Sequence, residues 1–234
     1  RSHEQINIRV MPKEARTVAY NQNGTIICIG MVDGSVSLAD ATSSKLRVYA
    51  NWQHSTRPIN DIKFSPDNSY LAVASADTNI YIYKSDDFKT YRRQAVCRGH
   101  SGAVTHIDFS ANSQYIQSNA NDYSLLYWDT SGSQIKHSFS MRDMKWATFT
   151  CVLGWPVQGI WGKQTDYTDI NACQALPDVG DIVTGDDYAR VNLFRYPAIK
   201  KGAVRQSYVG HASHVTSVRF NWNRRFLVST GGLD

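Results

Sequence analysis

The sequence predicts an all-β chain of repeated units, a partial β-propeller, and three observations carry the prediction. Apolar and polar residues alternate over short runs bounded by Gly, Asn and Asp, which is the pattern of half-buried strands. Runs that end in an aromatic residue recur at Tyr20, Phe64 and Phe109, intervals of 44 and 45 residues. No stretch carries convincing helical periodicity.

The repeat is plainest over residues 99–140. It opens with Gly99-His100, continues through Val104–Phe109, Tyr115–Ser118 and Asp122, and closes with Leu125-Leu126-Tyr127-Trp128-Asp129. A Gly-His start, a Trp-Asp end and short strands between are the layout of a WD40 blade, whose period is about 40–45 residues. Residues 99–129 are accordingly expected to form a four-stranded segment. The resemblance to WD40 repeats implies that His100, Ser118, Asp122 and Trp128 hydrogen-bond one another and tie the strands together. A blade cannot bury both its faces alone, so its neighbours must be blades too.

The other units follow in order. A unit over 11–50 has its opening strand ending at Tyr20, a second over Thr25–Ile29 and a third over Val36–Leu38 after the Asp33-Gly34 turn. A unit over 54–95 repeats this with Phe64, Tyr70–Ala74 and Ile80–Tyr83 after Asp77. The unit over 141–206 is stretched by an insertion between Asp129 and Asp169, rich in aromatics at Trp146, Trp155 and Trp161 and unlike a polar linker. The last, over 210–234, restarts at Gly210-His211 and runs through Val215–Phe220 and Phe226–Gly232. Asp77, His211, Thr230 and Asp234 take the network positions of their blades. Because Asp234 aligns with the turn residues Asp77 and Asp122, about four and a half blades are expected, the last cut short, whereas closed propellers have four to eight. The expectation is therefore a piece of a longer tandem-propeller protein.

Composition narrows the function classes. With 234 residues and 42% hydrophobic content the chain can bury a propeller-sized core. No apolar run approaches the ~20 residues that cross a bilayer, and no signal peptide is visible. Cys28, Cys97, Cys151 and Cys173 are scattered without CxxC pairing, so they read as buried free thiols suited to a reducing compartment. The net charge of +5 suits nucleic acid, anionic lipid or an acidic protein partner. Its local runs are Lys89, Arg92, Arg93 and Arg98; Lys200, Lys201 and Arg205; Arg219, Arg224 and Arg225. Each alone reads as solvated surface or as a binding patch. There is no recognition helix, RNP motif or basic tail, so neither nucleic acid nor membrane is an expected partner.

A more specific series occupies the second half. Lys145-Trp146-Ala147-Thr148, Thr150–Gly154, Val157-x-Gly159-Ile160-Trp161 and Asp166-x-x-Asp169-Ile170-Asn171-Ala172 appear in order. They lead into Thr184-Gly185-Asp186-Asp187-Tyr188, Val191-x-Leu193-Phe194-x-Tyr196-Pro197 and Gly210-His211-x-Ser213-His214-Val215-Thr216. This series, over about 142–234, resembles the second propeller of the echinoderm microtubule-associated protein-like family. The resemblance implies one half of a joined tandem propeller and association with microtubules and tubulin, with other microtubule-associated proteins as further partners. It also implies a cytoplasmic, cytoskeletal location, the ciliary axoneme included. The family's HELP motif and N-terminal basic segment are not seen in this sequence.

The candidate sites have competing readings. Asp166, Asp169, Asp186 and Asp187 could serve acid–base chemistry in a propeller hydrolase, but Asp186 and Asp187 follow a strand, where Asp bonds the local backbone. His211-x-x-His214 lacks the spacing of a helical metal face, and Ser229-Thr230-Gly231-Gly232 lacks the lysine and helix of a phosphate loop. No metal, cofactor or catalytic residue is therefore assigned. Trp155 and Trp161 either pack a blade or seam or contact a partner. Lys200, Lys201 and Arg205 lie between Tyr196-Pro197 and Gly210-His211, which places them in a blade-to-blade connection facing a partner or solvent. The combined reading is a non-catalytic, microtubule-binding scaffold; a WD40 adaptor in a non-cytoskeletal complex is the alternative.

Overall fold

The computed structural model describes residues 8–162, 169–221 and 223–232. Among these residues, regular structure is antiparallel β-sheet apart from two short 3-10 helices. The chain divides into two compact units, Arg1–Ala147 and Thr148–Asp234.

The first unit holds three sheets. β1 (Ala15–Tyr20), β2 (Ile26–Met31), β3 (Ser35–Asp40) and β4 (Arg47–Gln53) form one, in that order. β5 (Ile59–Phe64), β6 (Tyr70–Ser75), β7 (Asn79–Lys84) and β8 (Arg92–Arg98) form the next. β9 (Val104–Phe109), β10 (Tyr115–Ala120) and β11 (Leu125–Asp129) form the third. The opening strands end at Tyr20, Phe64 and Phe109, the aromatics that mark the period. Turns are tight because their residues suit them. At Gly34 the backbone has φ +86°, and a Cβ there would run into the carbonyl of Ser55.

Two features differ from the sequence reading. The fourth strands β4 and β8 run to Gln53 and Arg98, past the expected unit ends at 50 and 95. The third sheet has three strands where four were expected. After β11 the chain turns on the Asp129 carboxylate, which accepts from the Ser131 and Ser133 amides at 2.9 and 3.0 Å. That turn returns only far enough for a single bridge between Trp128 and Gln134, and the chain then enters the 3-10 helix Ser138–Met141. The later aromatic Trp146 closes back on this sheet, bridging Ser110 and stacking on Tyr127 at 5.9 Å.

Central strands are buried on both faces and so read as nearly continuous apolar runs, as in Leu71–Ala74 and Ile80–Tyr83. Ile62, Leu71, Val73 and Tyr83 pack with the first sheet's Cys28, Val36 and Leu38, whereas Ala72, Ile80 and Ile82 pack with Ile107, Ile116 and Trp128. Polar bonds fix how sheets meet. Asn60 Nδ2 donates to the Val104 carbonyl at 2.7 Å. The buried Asp61 carboxylate accepts from the Ile107 amide at 3.0 Å and from Lys63 Nζ at 2.7 and 2.8 Å. Burial works to raise the Asp61 carboxyl pKa, and the Lys63 and His106 charges overcome it and hold it below the usual range.

The second unit opens with the uncharged stretch 148–162 and its 3-10 helix Trp155–Ile160. β12 (Ile170–Leu176), β13 (Asp181–Asp186), β14 (Arg190–Arg195) and β15 (Arg205–Val209) form a four-stranded sheet. β15 runs past the expected unit end at 206. β16 (Val215–Phe220) and β17 (Leu227–Gly231) pair beside it. The joining bonds repeat those of the first unit: Asn171 Nδ2 donates to the Val215 carbonyl at 3.1 Å, and Gln174 Oε1 accepts from the Phe220 amide at 2.7 Å.

Candidate functional site

The third sheet brings its four network residues together. Trp128 Nε1 donates to Ser118 Oγ at 2.8 Å, and Ser118 Oγ lies 2.7 Å from His100 Nε2. His100 Nδ1 lies 3.3 Å from Asp122 Oδ2 and 2.8 Å from Ser124 Oγ, while Asp122 also accepts from the Ser101 amide at 2.7 Å. One assignment satisfies this chain: Trp128 donates to Ser118, Ser118 donates to His100 Nε2, and His100 Nδ1–H donates to Asp122. Strand pairing positions them, because Ser118 faces Ile107 and Leu126 across its neighbours while the β10–β11 turn carries Asp122. Burial lowers the His100 pKa against the pull of Asp122. At Asp122 burial acts upward, but hydrogen bonds from Ser124 and Ser101 outweigh it and leave the carboxyl well below the usual range. This Ser–His–Asp series resembles a hydrolytic triad, yet its serine is wholly buried and engaged by the tryptophan, so it is a strand tie.

The second sheet satisfies the same region differently. Tyr83 takes the place of Trp128, and its hydroxyl lies 2.7 Å from His54 Nδ1. Asp77 accepts from Tyr81 Oη at 2.6 Å, and Ser55 Oγ lies 2.8 Å from Ser75 Oγ.

In the second unit His211 Nε2 lies 2.8 Å from Ser229 Oγ. The expected partner Thr230 instead points to the other face, where its hydroxyl meets that of Thr216 at 2.9 Å. Successive side chains on β17 alternate between faces, so the serine and not the threonine takes the network position. Asp234 and Asp166 lie outside the described residues. Asp186 is used structurally, accepting from the Tyr188 and Arg190 amides and from Asn192 Nδ2 at 2.8–3.0 Å. Asp169 accepts from Tyr188 Oη, and Asp187 from Asn171 Nδ2. Among the described residues no group of three or more His, Cys, Asp or Glu is placed to hold a metal ion. All four cysteines are buried free thiols.

Four of the five candidate partner-binding residues lie in the insertion and in the 196–203 loop braced against it. Trp161 is 2% exposed and donates from Nε1 to the Val152 carbonyl at 2.9 Å, so it anchors the insertion. Trp155 is 44% exposed. The insertion is laced to the 196–203 loop by backbone bonds: Gly159 N to Ala198 O at 2.6 Å, Ala198 N to Pro156 O at 2.8 Å, Gly202 N to Trp161 O at 3.1 Å and Ala203 N to Gly159 O at 3.0 Å. Gly159 permits this approach, because a Cβ there would sit 2.7 Å from the Ala198 carbonyl oxygen and collide with that of Lys200. Lys200 and Lys201 are exposed on the braced loop. Arg205, expected in the connection, instead opens strand β15 opposite Phe194, because the exposed edge of a sheet accommodates charged side chains.

Comparison with known sequences settles the family. The family described as echinoderm microtubule-associated protein second beta-propeller matches residues 1–234. The chain belongs to that family. It is similar to the "77 kDa echinoderm microtubule-associated protein" of Strongylocentrotus purpuratus, at 41% identity over 99% of the chain and 34% of the relative. The protein of the same name from Lytechinus variegatus is 42% identical over 99% of the chain and 35% of the relative. Human "Echinoderm microtubule-associated protein-like 2" is 37% identical over the whole chain and 36% of the relative. The chain thus spans about a third of the length of these relatives.

Proposed function

We propose that this propeller is a non-catalytic scaffold that binds microtubules through tubulin and acts at the microtubule cytoskeleton. Membership of a family whose relatives are named microtubule-associated proteins supports the reading, and the local chemistry agrees with it. Lys200 and Lys201 project from a loop held by four backbone bonds to the insertion, so the main chain that carries their charges has little freedom to lose on binding. Arg205 adds a third cation at the start of the adjoining edge strand. Opposed to an acidic tubulin surface, such exposed charges steer encounter and fix register more than they set total affinity.

The test is microtubule co-pelleting of the full-length protein carrying Lys200→Glu, Lys201→Glu and Arg205→Glu together. The expected result is weaker pelleting, unchanged thermal melting, and binding by the unaltered protein that declines as salt is raised, because exposed charges are screened beyond about 8 Å at physiological ionic strength. Undiminished pelleting of the triple variant removes this site. Salt-insensitive binding removes the electrostatic mechanism.

A further inference from the structure

The second unit segregates its charge by end. At one end lie the β12–β13 turn, the β14–β15 loop and the β16–β17 turn. The register proves that they share it: Asp181 pairs with Arg195, Phe194 pairs with Arg205, and the Phe220 amide reaches Gln174. This end carries Arg195, Lys200, Lys201, Arg205, Arg224 and Arg225. Its only carboxylates among the described residues, Asp178 and Asp181, are each engaged by an arginine: Asp181 by Arg195 at 2.9 Å, and Asp178 by Arg224. At the opposite end lie Asp169, Asp186 and Asp187, with Arg190 the one arginine there among the described residues, its guanidinium over the Tyr188 ring at 5.7 Å.

We infer that the basic end of the second unit is a docking surface for an acidic polypeptide segment carrying apolar side chains among its carboxylates, and that it fixes which end of the unit faces the partner. The inference rests on the scaffold reading and extends it from one loop to two neighbouring blades. The cations are strung along two connections, the β14–β15 loop and the β16–β17 turn, and the pocket that Arg224 and Arg225 line with Phe226 does not include the other four, so the spread of charge fits an extended ligand better than a single small anion. Exposed apolar side chains are interleaved with them. Ile199 precedes Lys200, Trp155 opens the helix braced against the same loop, and Phe226 follows Arg225. Asp178 and Asp181 sit within the strip and would repel a continuous phosphate backbone, whereas a polypeptide can place uncharged residues opposite them. The acidic opposite end disfavours the same ligand, so docking has one polarity.

The experiment measures fluorescence anisotropy of a labelled synthetic peptide, rich in glutamate with interspersed phenylalanine, titrated with the full-length protein. Lys200→Glu with Arg225→Glu should weaken binding about tenfold, since two exposed contacts are both lost and made repulsive. Lys200→Gln with Arg225→Gln should weaken it less, and Arg190→Glu at the opposite end should leave it unchanged. Trp155→Ala should weaken the phenylalanine-containing peptide but not an all-glutamate one. Melting by circular dichroism checks that each variant is folded. Equal loss with Arg190→Glu, no loss with either double variant, or displacement of the peptide by a single-stranded RNA that itself binds more tightly and obeys the same variants would overturn the inference. Microtubule co-pelleting separates the two readings. Pelleting without peptide binding sinks the docking surface alone, and peptide binding without pelleting sinks the scaffold reading alone.

Discussion

The second and third sheets of the first unit share the register and the bulge position of their first two strands, yet tie their strands by different chemistry. The third uses a connected chain, Trp128 to Ser118 to His100 to Asp122, in which only the carboxylate has appreciable exposure. The second uses separate pairs: Tyr83 with His54, Tyr81 with Asp77 and Ser55 with Ser75. Val73 stands where Ser118 stands in the third sheet, and it packs in the apolar cluster. The difference teaches that apolar alternation and turn chemistry suffice to form a blade. The polar chain is one means of satisfying the groups that a large aromatic at the third strand brings inside. It also concentrates risk, because its members depend on one another.

The strongest way to break the comparison is to remove the aromatic. Trp128→Ala takes a fully buried ring from a well-packed cluster and should cost about 3–5 kcal/mol in a urea unfolding titration. Ser118→Ala should cost about 1–3 kcal/mol, because it removes the hydroxyl that partners both Trp128 Nε1 and His100 Nε2 in the buried network. Tyr83→Phe in the second sheet should cost only about 1 kcal/mol, since its partner His54 is exposed and can turn to water. A Tyr83→Phe cost equal to that of Ser118→Ala would erase the distinction between a connected network and separate pairs.

Acid tests the third sheet's network by a smaller effect, one that His54 beside the second sheet shares in kind because burial lowers its pKa too. His100 has a lowered pKa in the folded state because burial disfavours its charged form. The unfolded chain therefore takes up a proton first, near the ordinary value of about 6.5. Stability is full above that pH and falls as pH drops below it toward the folded pKa. Asp122, whose folded pKa is also depressed, adds a second loss as pH falls below the ordinary carboxylate value of about 4. Urea midpoints followed from pH 8 to 5 should decline, and His100→Asn should flatten the decline. An unchanged slope in that variant would place the acid sensitivity elsewhere.

The sequence and the structure agree where a pattern has a local cause. Strands ending at Tyr20, Phe64 and Phe109 are legible because alternation, turn residues and spacing coincide there. The fourth strands are not. RVYANWQ, RRQAVCR and RQSYV lie at sheet edges, where exposure on one side admits arginines, so the second reads as a charge run, the third as a connection, and the first carries no strand signal of its own. The choice between Ser229 and Thr230 needed the register, because adjacent hydroxyl residues on a strand look alike in sequence but face opposite ways. The bracing of Lys200 was illegible for another reason. It is made by backbone groups of residues some forty positions apart, and no side-chain pattern announces it. Gly159 was its one trace, readable only once the neighbouring carbonyls are known.

Asn60 and Asn171 each reach the first residue of the opening strand one blade later, 44 positions on in both cases. These amides act as a molecular ruler laid from one repeat to the next. The extra residues between Asp129 and Asp169 leave both rulers whole, because that segment lies outside each measured interval. A single residue inserted between Asn60 and Val104 at a strand position would move the target carbonyl off its mark and turn the following side chains to the wrong face. The segment between Asp129 and Asp169 is thus a place where this chain carries added length without disturbing either measured interval, and a site where a binding loop could be grafted.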